Sequence, residues 1–345
     1  MRLFGIELFG HRPLVSRSGG AAASTGAKDI DEPPRERVER DEVEIVVTRL
    51  NAQGGEAGAR DLEDGPATES VIDVSALAPT RAVPGRRAKV LAVANQKGGV
   101  GKTTTAVNVA AYIAARDRPV LLVDVDPQGN ATVGLGLQRD RAPGLYEVLA
   151  GACEAREAIC ETAVPGLDVM APGRELAGAT VELPGLERSE SRLRDALEPI
   201  RDNYAYVILD CPPSLGPLTV AALVAADRLI VPVQTEYYAL EGLASVLETV
   251  SLIQRELNPH LSVAGVLLTM HDGRTRLARD VEREVREHFP ELVLDAVVPR
   301  NVRICEAPSF GVPISIHDPQ SSGAAAYEAV AREIAERTEM AAVYA

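Results

Sequence analysis

Residues 96–104 read Gln96-Lys97-Gly98-Gly99-Val100-Gly101-Lys102-Thr103-Thr104, and their types suit the holding of phosphate groups. Gly98, Gly99 and Gly101 permit positive φ and a close approach of backbone N–H groups. Lys102 is a compact charge able to reach β- and γ-phosphates, and the Thr103 hydroxyl is a hard oxygen ligand for Mg²⁺. The usual phosphate-loop pattern begins with Gly and ends with Gly-Lys-Ser/Thr. Here Gln96 stands at the first position and a second lysine, Lys97, follows it. Three carboxylates accompany the loop: Asp124 and Asp126, two apart in Asp124-Val125-Asp126-Pro127-Gln128-Gly129-Asn130, and Asp210 in Asp210-Cys211-Pro212-Pro213-Ser214. An acid at the C-terminal end of a parallel strand faces the crevice where open α/β sheets bind ligands.

The flanking sequence supplies the elements such a site needs. An apolar run over 90–94 precedes the loop and a helical run over 106–115 follows it, so the loop sits at a helix N-terminus, where anions are favoured. Strands are expected over 119–124, near Asp168, and over 206–210, 228–233, 262–269 and 292–298. Helices are expected over 146–150, 189–200, 218–225, 240–256, 276–288 and 323–336. This alternation predicts an α/β fold, a doubly wound, mostly parallel sheet with helices on both faces.

Residues 89–336 resemble the ParA/Soj family of deviant Walker A partitioning ATPases. The resemblance rests on the loop, the two acidic motifs, Glu236-Tyr237-Tyr238-Ala239-Leu240-Glu241-Gly242, Pro299-Arg300-Asn301 and Glu306-Ala307-Pro308-Ser309, all in one order. It implies a P-loop NTPase fold, slow ATP hydrolysis with Mg²⁺, and an ATP-driven homodimer. It further implies binding of non-specific DNA and stimulation by a ParB-like centromere-binding partner, with a cytoplasmic, nucleoid-associated location. Residues 97–104 are the expected nucleotide contacts, with Lys97 acting in trans, Lys102 in its own subunit and Asp126 positioning the attacking water. Thr103, Asp124 and Asp210 are the expected metal set, the two acids ordering its water shell. Pro299 and Asn301 match a segment that contacts adenine in the family. Arg274 belongs to the implied DNA-binding set, with Arg276 and Arg303 as further members. Val312 stands where relatives commonly carry lysine, and His271 where Tyr or Phe is common, which lowers the expected DNA affinity.

Composition bounds these expectations. The chain has 345 residues, 46 % of them hydrophobic, enough for a sizeable core, and no apolar run approaches a membrane span. Aromatic residues make up 3 % and Trp is absent, which disfavours base stacking as a mode of nucleic-acid binding. Four scattered cysteines form neither a metal pattern nor a ligand set for an iron–sulfur cluster. A net charge of −14 argues against DNA binding at first sight. Residues 29–73, however, hold fourteen acids against five arginines. Much of the acid excess therefore lies outside residues 87–340, where the ATPase domain is expected. Residues 1–86 are expected to be a disordered acidic extension with a short apolar start at 1–10. A transient strand or helix is possible near 44–50.

Rival readings differ in what they require. A MinD-like membrane ATPase calls for a basic amphipathic C-terminal helix, and a related tyrosine kinase for a C-terminal tyrosine cluster. The final residues show neither. For Arg279 and Arg283 a solvated charged helix is the simpler reading, because Asp280, Glu282, Glu284 and Glu287 are interleaved with them. The remaining alternative is a nucleotide-switched protein that positions a protein cargo without DNA.

Overall fold

The computed structural model describes residues 87–343 continuously. Of residues 1–86 it describes four strands: β1 (Arg2–Leu3), β2 (Ile6–Glu7), β3 (Glu44–Arg49) and β4 (Thr68–Asp73). β1 pairs antiparallel with β2, and β3 with β4. The strand at 44–49 falls where a transient element was expected. The rest of the expected disordered extension lies outside the described residues. Residues 1–75 and 76–345 form separate compact units.

The larger unit holds β5 (Lys89–Val93), β6 (Val120–Asp124), β7 (Ile159–Glu161), β8 (Leu167–Met170), β9 (Tyr206–Asp210), β10 (Arg228–Gln234) and β11 (Ser262–Thr269). They form one sheet in the order β11-β10-β5-β9-β6-β8-β7, parallel except for β7. β6, β9 and β11 are buried along their whole length, as continuous apolar runs in a sheet covered on both faces must be. Helices α1 (Lys102–Ala114) and α7 (Ser322–Val343) share a core with Leu91 and Val93. Val90 and Ala92 point the other way and are equally buried outside that cluster, so the opposite face of β5 is covered too. Also used below are α2 (Asn130–Gly134), α3 (Pro217–Ala225), α4 (Ala239–Glu256), α5 (Arg276–His288) and α6 (Val302–Glu306).

Two expected elements differ. Residues 292–298 run beside β11 but form no strand, meeting it by a bridge at Val293 and by backbone bonds near either end. Between these contacts the N–H groups of Asp295 and Ala296 donate instead to the Glu333 carboxylate, at 2.9 and 3.0 Å, which breaks the ladder. The helix expected over 189–200 is α-helical only at Arg192–Leu197, with tighter turns on both sides. Pro199, which lacks a backbone N–H, lies in the second of these turns. The short reversed strand β7 was not expected, since three residues carry too little pattern to read.

Candidate nucleotide and DNA sites

Register brings the chemistry together. β5 runs between β9 and β10, and β9 between β5 and β6, with Asp210 paired to Val93 on one side and to Asp124 on the other. The phosphate loop therefore leaves β5 beside both acids. Gly99 and Gly101 have φ of 74° and 89°, the left-handed region open to glycine. Gly101 is the N-cap of α1, with no side chain capping the helix and no acid in its first turn. The first N–H groups of α1 are thus left for an anionic ligand.

The loop is braced from several directions. Asn95 donates from Nδ2 to the Pro232 carbonyl (2.7 Å) and accepts from the Lys97 N–H (3.0 Å). Gln96 reaches Ser245 Oγ on α4 (3.0 Å), and the Thr269 hydroxyl donates to the Val100 carbonyl (2.8 Å). Lys102 is buried and donates to the Lys97 carbonyl (2.9 Å). Burial lowers its pKa, while Asp210 and Asp126 act to raise it. Lys97 itself pairs with Glu236 (2.9 Å) in the turn between β10 and α4, with both side chains roughly half exposed. Gln234 in turn donates to the other Glu236 oxygen.

Asp124 is fully buried. One of its oxygens accepts from the Thr132 N–H (2.8 Å) and hydroxyl (2.7 Å) on α2, and the other has no partner. Neither oxygen of buried Asp210 has one. Burial pushes the Asp124 carboxyl up to about 7, with Asp126 adding to the shift and Thr132 opposing it. Burial likewise raises Asp210 well above the carboxylate range, as does Asp124, against the pull of Thr103 and Lys102. Orphaned acid oxygens beside a threonine hydroxyl fit a Mg²⁺ that retains water ligands. Among the described residues no three His, Cys, Asp or Glu side chains converge as a direct ligand set. Asp126, 7 % exposed, accepts from the Gln128 N–H (2.9 Å) and is near enough to act electrostatically on Lys102 and Asp210. Cys211 is fully buried and its thiol is pushed up by that burial, so it packs and stays protonated.

The other expected residues lie at the end of β11 and beyond. Pro299 bridges His271. The Asn301 side chain caps α6 through the Arg303 N–H (2.8 Å) and donates to Ser322 Oγ (2.9 Å). Arg274 binds Asp272 through two nitrogens, each at 2.8 Å, holding that carboxyl down to about 2. Arg276 lies 3.4 Å from Asp280, and Arg303 lies 2.9 Å from Glu306 and 3.4 Å from Asp318. Arg283 pairs with Asp280 and lies 3.9 Å from Glu287, while Arg279 donates to the Gly273 carbonyl. Glu236, Thr269 and Thr132 had no role assigned from sequence. Their partners lie 139, 169 and 8 residues away, and nothing in their local sequence shows which residue each one meets.

A family model described as an AAA domain matches residues 88–263. Among curated relatives, the chromosome partitioning protein ParA of Caulobacter vibrioides is 50 % identical over 252 residues, 72 % of this chain and 94 % of that protein. The chromosome-partitioning ATPase Soj of Thermus thermophilus is 52 % identical over 257 residues, 74 % of this chain and 99 % of that protein. The solved structure described as cobyrinic acid a,c-diamide synthase of Mycobacterium smegmatis, with bound ADP and magnesium, superposes with a TM-score of 0.65 at 38 % identity. That match covers 73 % of this chain and 96 % of the other. With its second-lysine phosphate loop, strand-end acids and parallel sheet, the chain belongs to the ParA/Soj family of partitioning P-loop ATPases.

Proposed function

We propose that the protein is a DNA-partitioning ATPase whose ATP-bound homodimer holds non-specific DNA and whose hydrolysis releases it. The observation that carries this reading is the convergence of loop, Lys102 and the paired acids Asp124 and Asp210, in a chain about half identical to ParA and Soj along nearly their full length.

In this reading Lys102 exchanges the Lys97 carbonyl for a phosphate oxygen, and the free N–H groups of α1 take up the phosphates. A bound Mg²⁺ would offset the negative charge of the phosphates. Thr103 supplies it a hydroxyl, and Asp124 and Asp210 hold its waters. Asp126 positions the attacking water. Lys97 leaves Glu236 to reach the phosphates of a second copy, much as an arginine finger acts in trans. Pro299 and Asn301 border the adenine, and Arg274, Arg276 and Arg303 meet the DNA backbone. Turnover is slow until a ParB-like partner stimulates it. Such work belongs in the cytoplasm, on the nucleoid. Among the described residues no helix is long and apolar enough to cross a membrane.

A second reading, a nucleotide-switched carrier of protein cargo, draws support from one observation. Each of the three arginines offered to DNA is already paired with a carboxylate of its own chain. Sedimentation with non-specific duplex at two salt concentrations, without nucleotide, with ADP and with a slowly hydrolysed ATP analogue, separates the two. DNA-partitioning activity gives binding with the analogue alone, lost in Arg274→Ala. No binding in any state overturns it in favour of the carrier.

A further inference from the structure

We infer that Thr269 is a positioning residue that ties the phosphate loop to the loop carrying Arg274, so that the state of the first sets the order of the second. The inference deepens the proposed function and rests on it for the meaning of the Arg274 loop.

Thr269 is the last residue of β11 and is 1 % exposed. Its hydroxyl donates to the Val100 carbonyl, one residue before Gly101 and two before Lys102. A hydroxyl at this depth gains a partner only by this bond, and without it the Val100 carbonyl would lose a donor inside the protein. On the far side the chain turns abruptly. Met270 has a φ of 49°, a left-handed conformation that non-glycine residues adopt at a cost and keep only where neighbours hold them. Those neighbours are visible. The His271 N–H donates to Val298 (3.0 Å), and the Arg300 N–H donates to His271 (3.0 Å). Asp272 then accepts from the Arg274 N–H and guanidinium, and the Thr275 hydroxyl caps α5 through the Ala278 N–H (3.3 Å). Four residues of constrained backbone thus separate the side chain that grips the phosphate loop from Arg274. The same segment meets Pro299, itself one of the two expected adenine contacts with Asn301.

A shift of Val100 on phosphate binding moves Thr269 directly, and the held turn at Met270 passes that displacement to residues 271–276. Spatial continuity suggests such a route, and only a measured response of one loop to the other's ligand establishes it.

Hydrogen exchange on the full chain provides that measurement without DNA. Amides of residues 271–276 are followed with and without a slowly hydrolysed ATP analogue in the parent, Thr269→Ser, Thr269→Val and Met270→Gly proteins. Thr269→Ser keeps the hydroxyl, and Thr269→Val replaces it with a methyl of similar shape. Met270→Gly keeps the grip on Val100 and relaxes the turn. The parent and Thr269→Ser are expected to slow exchange at 271–276 on binding. Thr269→Val is expected to lose that response even at saturating analogue, with nucleotide affinity about fivefold to tenfold weaker. Met270→Gly should keep its nucleotide affinity within about twofold and show a reduced response, which tests the route even if Thr269→Val folds poorly. A response in Thr269→Val equal to the parent's, or none in the parent, overturns the inference. Absence of DNA binding alongside an intact exchange pattern would defeat the DNA reading and leave the Thr269 link standing.

Discussion

Lys97 Nζ lies 2.9 Å from a Glu236 carboxylate oxygen, so the second lysine of the phosphate loop is held by the turn after β10. Lys102 is turned inward beneath it. The two lysines of one loop therefore face different surroundings, and their substitutions should differ in kind. Lys102→Ala is expected to abolish nucleotide binding. Lys97→Ala is expected to leave single-protomer affinity within about threefold while lowering kcat by about a thousandfold or more, the scale of a cation supplied in trans. Glu236→Gln should change stability by less than about 1 kcal/mol, because the pair is half exposed and screened. Isothermal titration with single-turnover kinetics checks all three, and equal loss of affinity in both lysine variants would contradict the assignment.

The paired acids Asp124 and Asp210 are expected to destabilise the ligand-free protein, since both are buried side by side and three of their four oxygens have no partner. In Asp124→Asn the oxygen still accepts from Thr132, and the new amide faces Asp210 as a donor. Ligand-free stability should rise by about 1–2 kcal/mol. The Mg²⁺-dependent part of nucleotide affinity should fall at least tenfold. Urea unfolding and nucleotide titration with and without Mg²⁺ read the two effects separately, and a fall in ligand-free stability would contradict the first.

Asp272 is held low, to about 2, chiefly by its bonds from Arg274. A depressed carboxyl contributes its stabilisation above the unfolded value near 4 and loses it as pH falls through about 2. NMR titration should find this acid still ionised at pH 3, and returned towards about 4 in Arg274→Ala. If Arg274 meets DNA as proposed, the same pairing would compete with DNA phosphates for it. Asp272→Ala is expected to strengthen ATP-dependent DNA binding, and Arg274→Ala to reduce the slope of log affinity against log salt by about 0.9.

Packing beneath the site offers a stability test. Tyr327 on α7 is fully buried, and its hydroxyl lies 3.3 Å from Thr105 Oγ1 on α1. Tyr327→Phe should cost about 1 kcal/mol and Tyr327→Ala about 3–5 kcal/mol. Gly265 in β11 has the Leu294 side chain where a Cβ would stand. Gly265→Ala should therefore cost about 1–3 kcal/mol through overpacking. Denaturant midpoints measure each, and a neutral Tyr327→Ala would contradict the shared core of α1 and α7.

The parallel sheet and the nucleotide loop were legible in the sequence because they are built from short-range signals. Continuous apolar runs mark β6, β9 and β11, acids end β6 and β9, and glycines precede α1. What was not legible depends on distant partners. Nothing around Glu236 shows that it meets Lys97, and nothing around Thr269 shows that it meets Val100. Residues 292–298 have strand-like composition, yet a carboxylate from α7 takes their central N–H groups. The arginines were visible as cations, and each meets a carboxylate two to four residues away, Asp272, Asp280 or Glu306, but residue types alone do not show that these pairs form.

The two rims of the sheet carry a consequence for how copies of this chain can meet. On one side β7 is three residues long and runs against the others, and on the other β11 is overlaid by residues 292–298. Neither rim offers a long row of bare peptide groups on which a neighbour could zip itself as an added strand. In the proposed homodimer the copies would instead join through side chains and through whatever lies between their loops. An assembly of that kind would come apart when a single phosphate is lost, without any peptide ladder having to unravel.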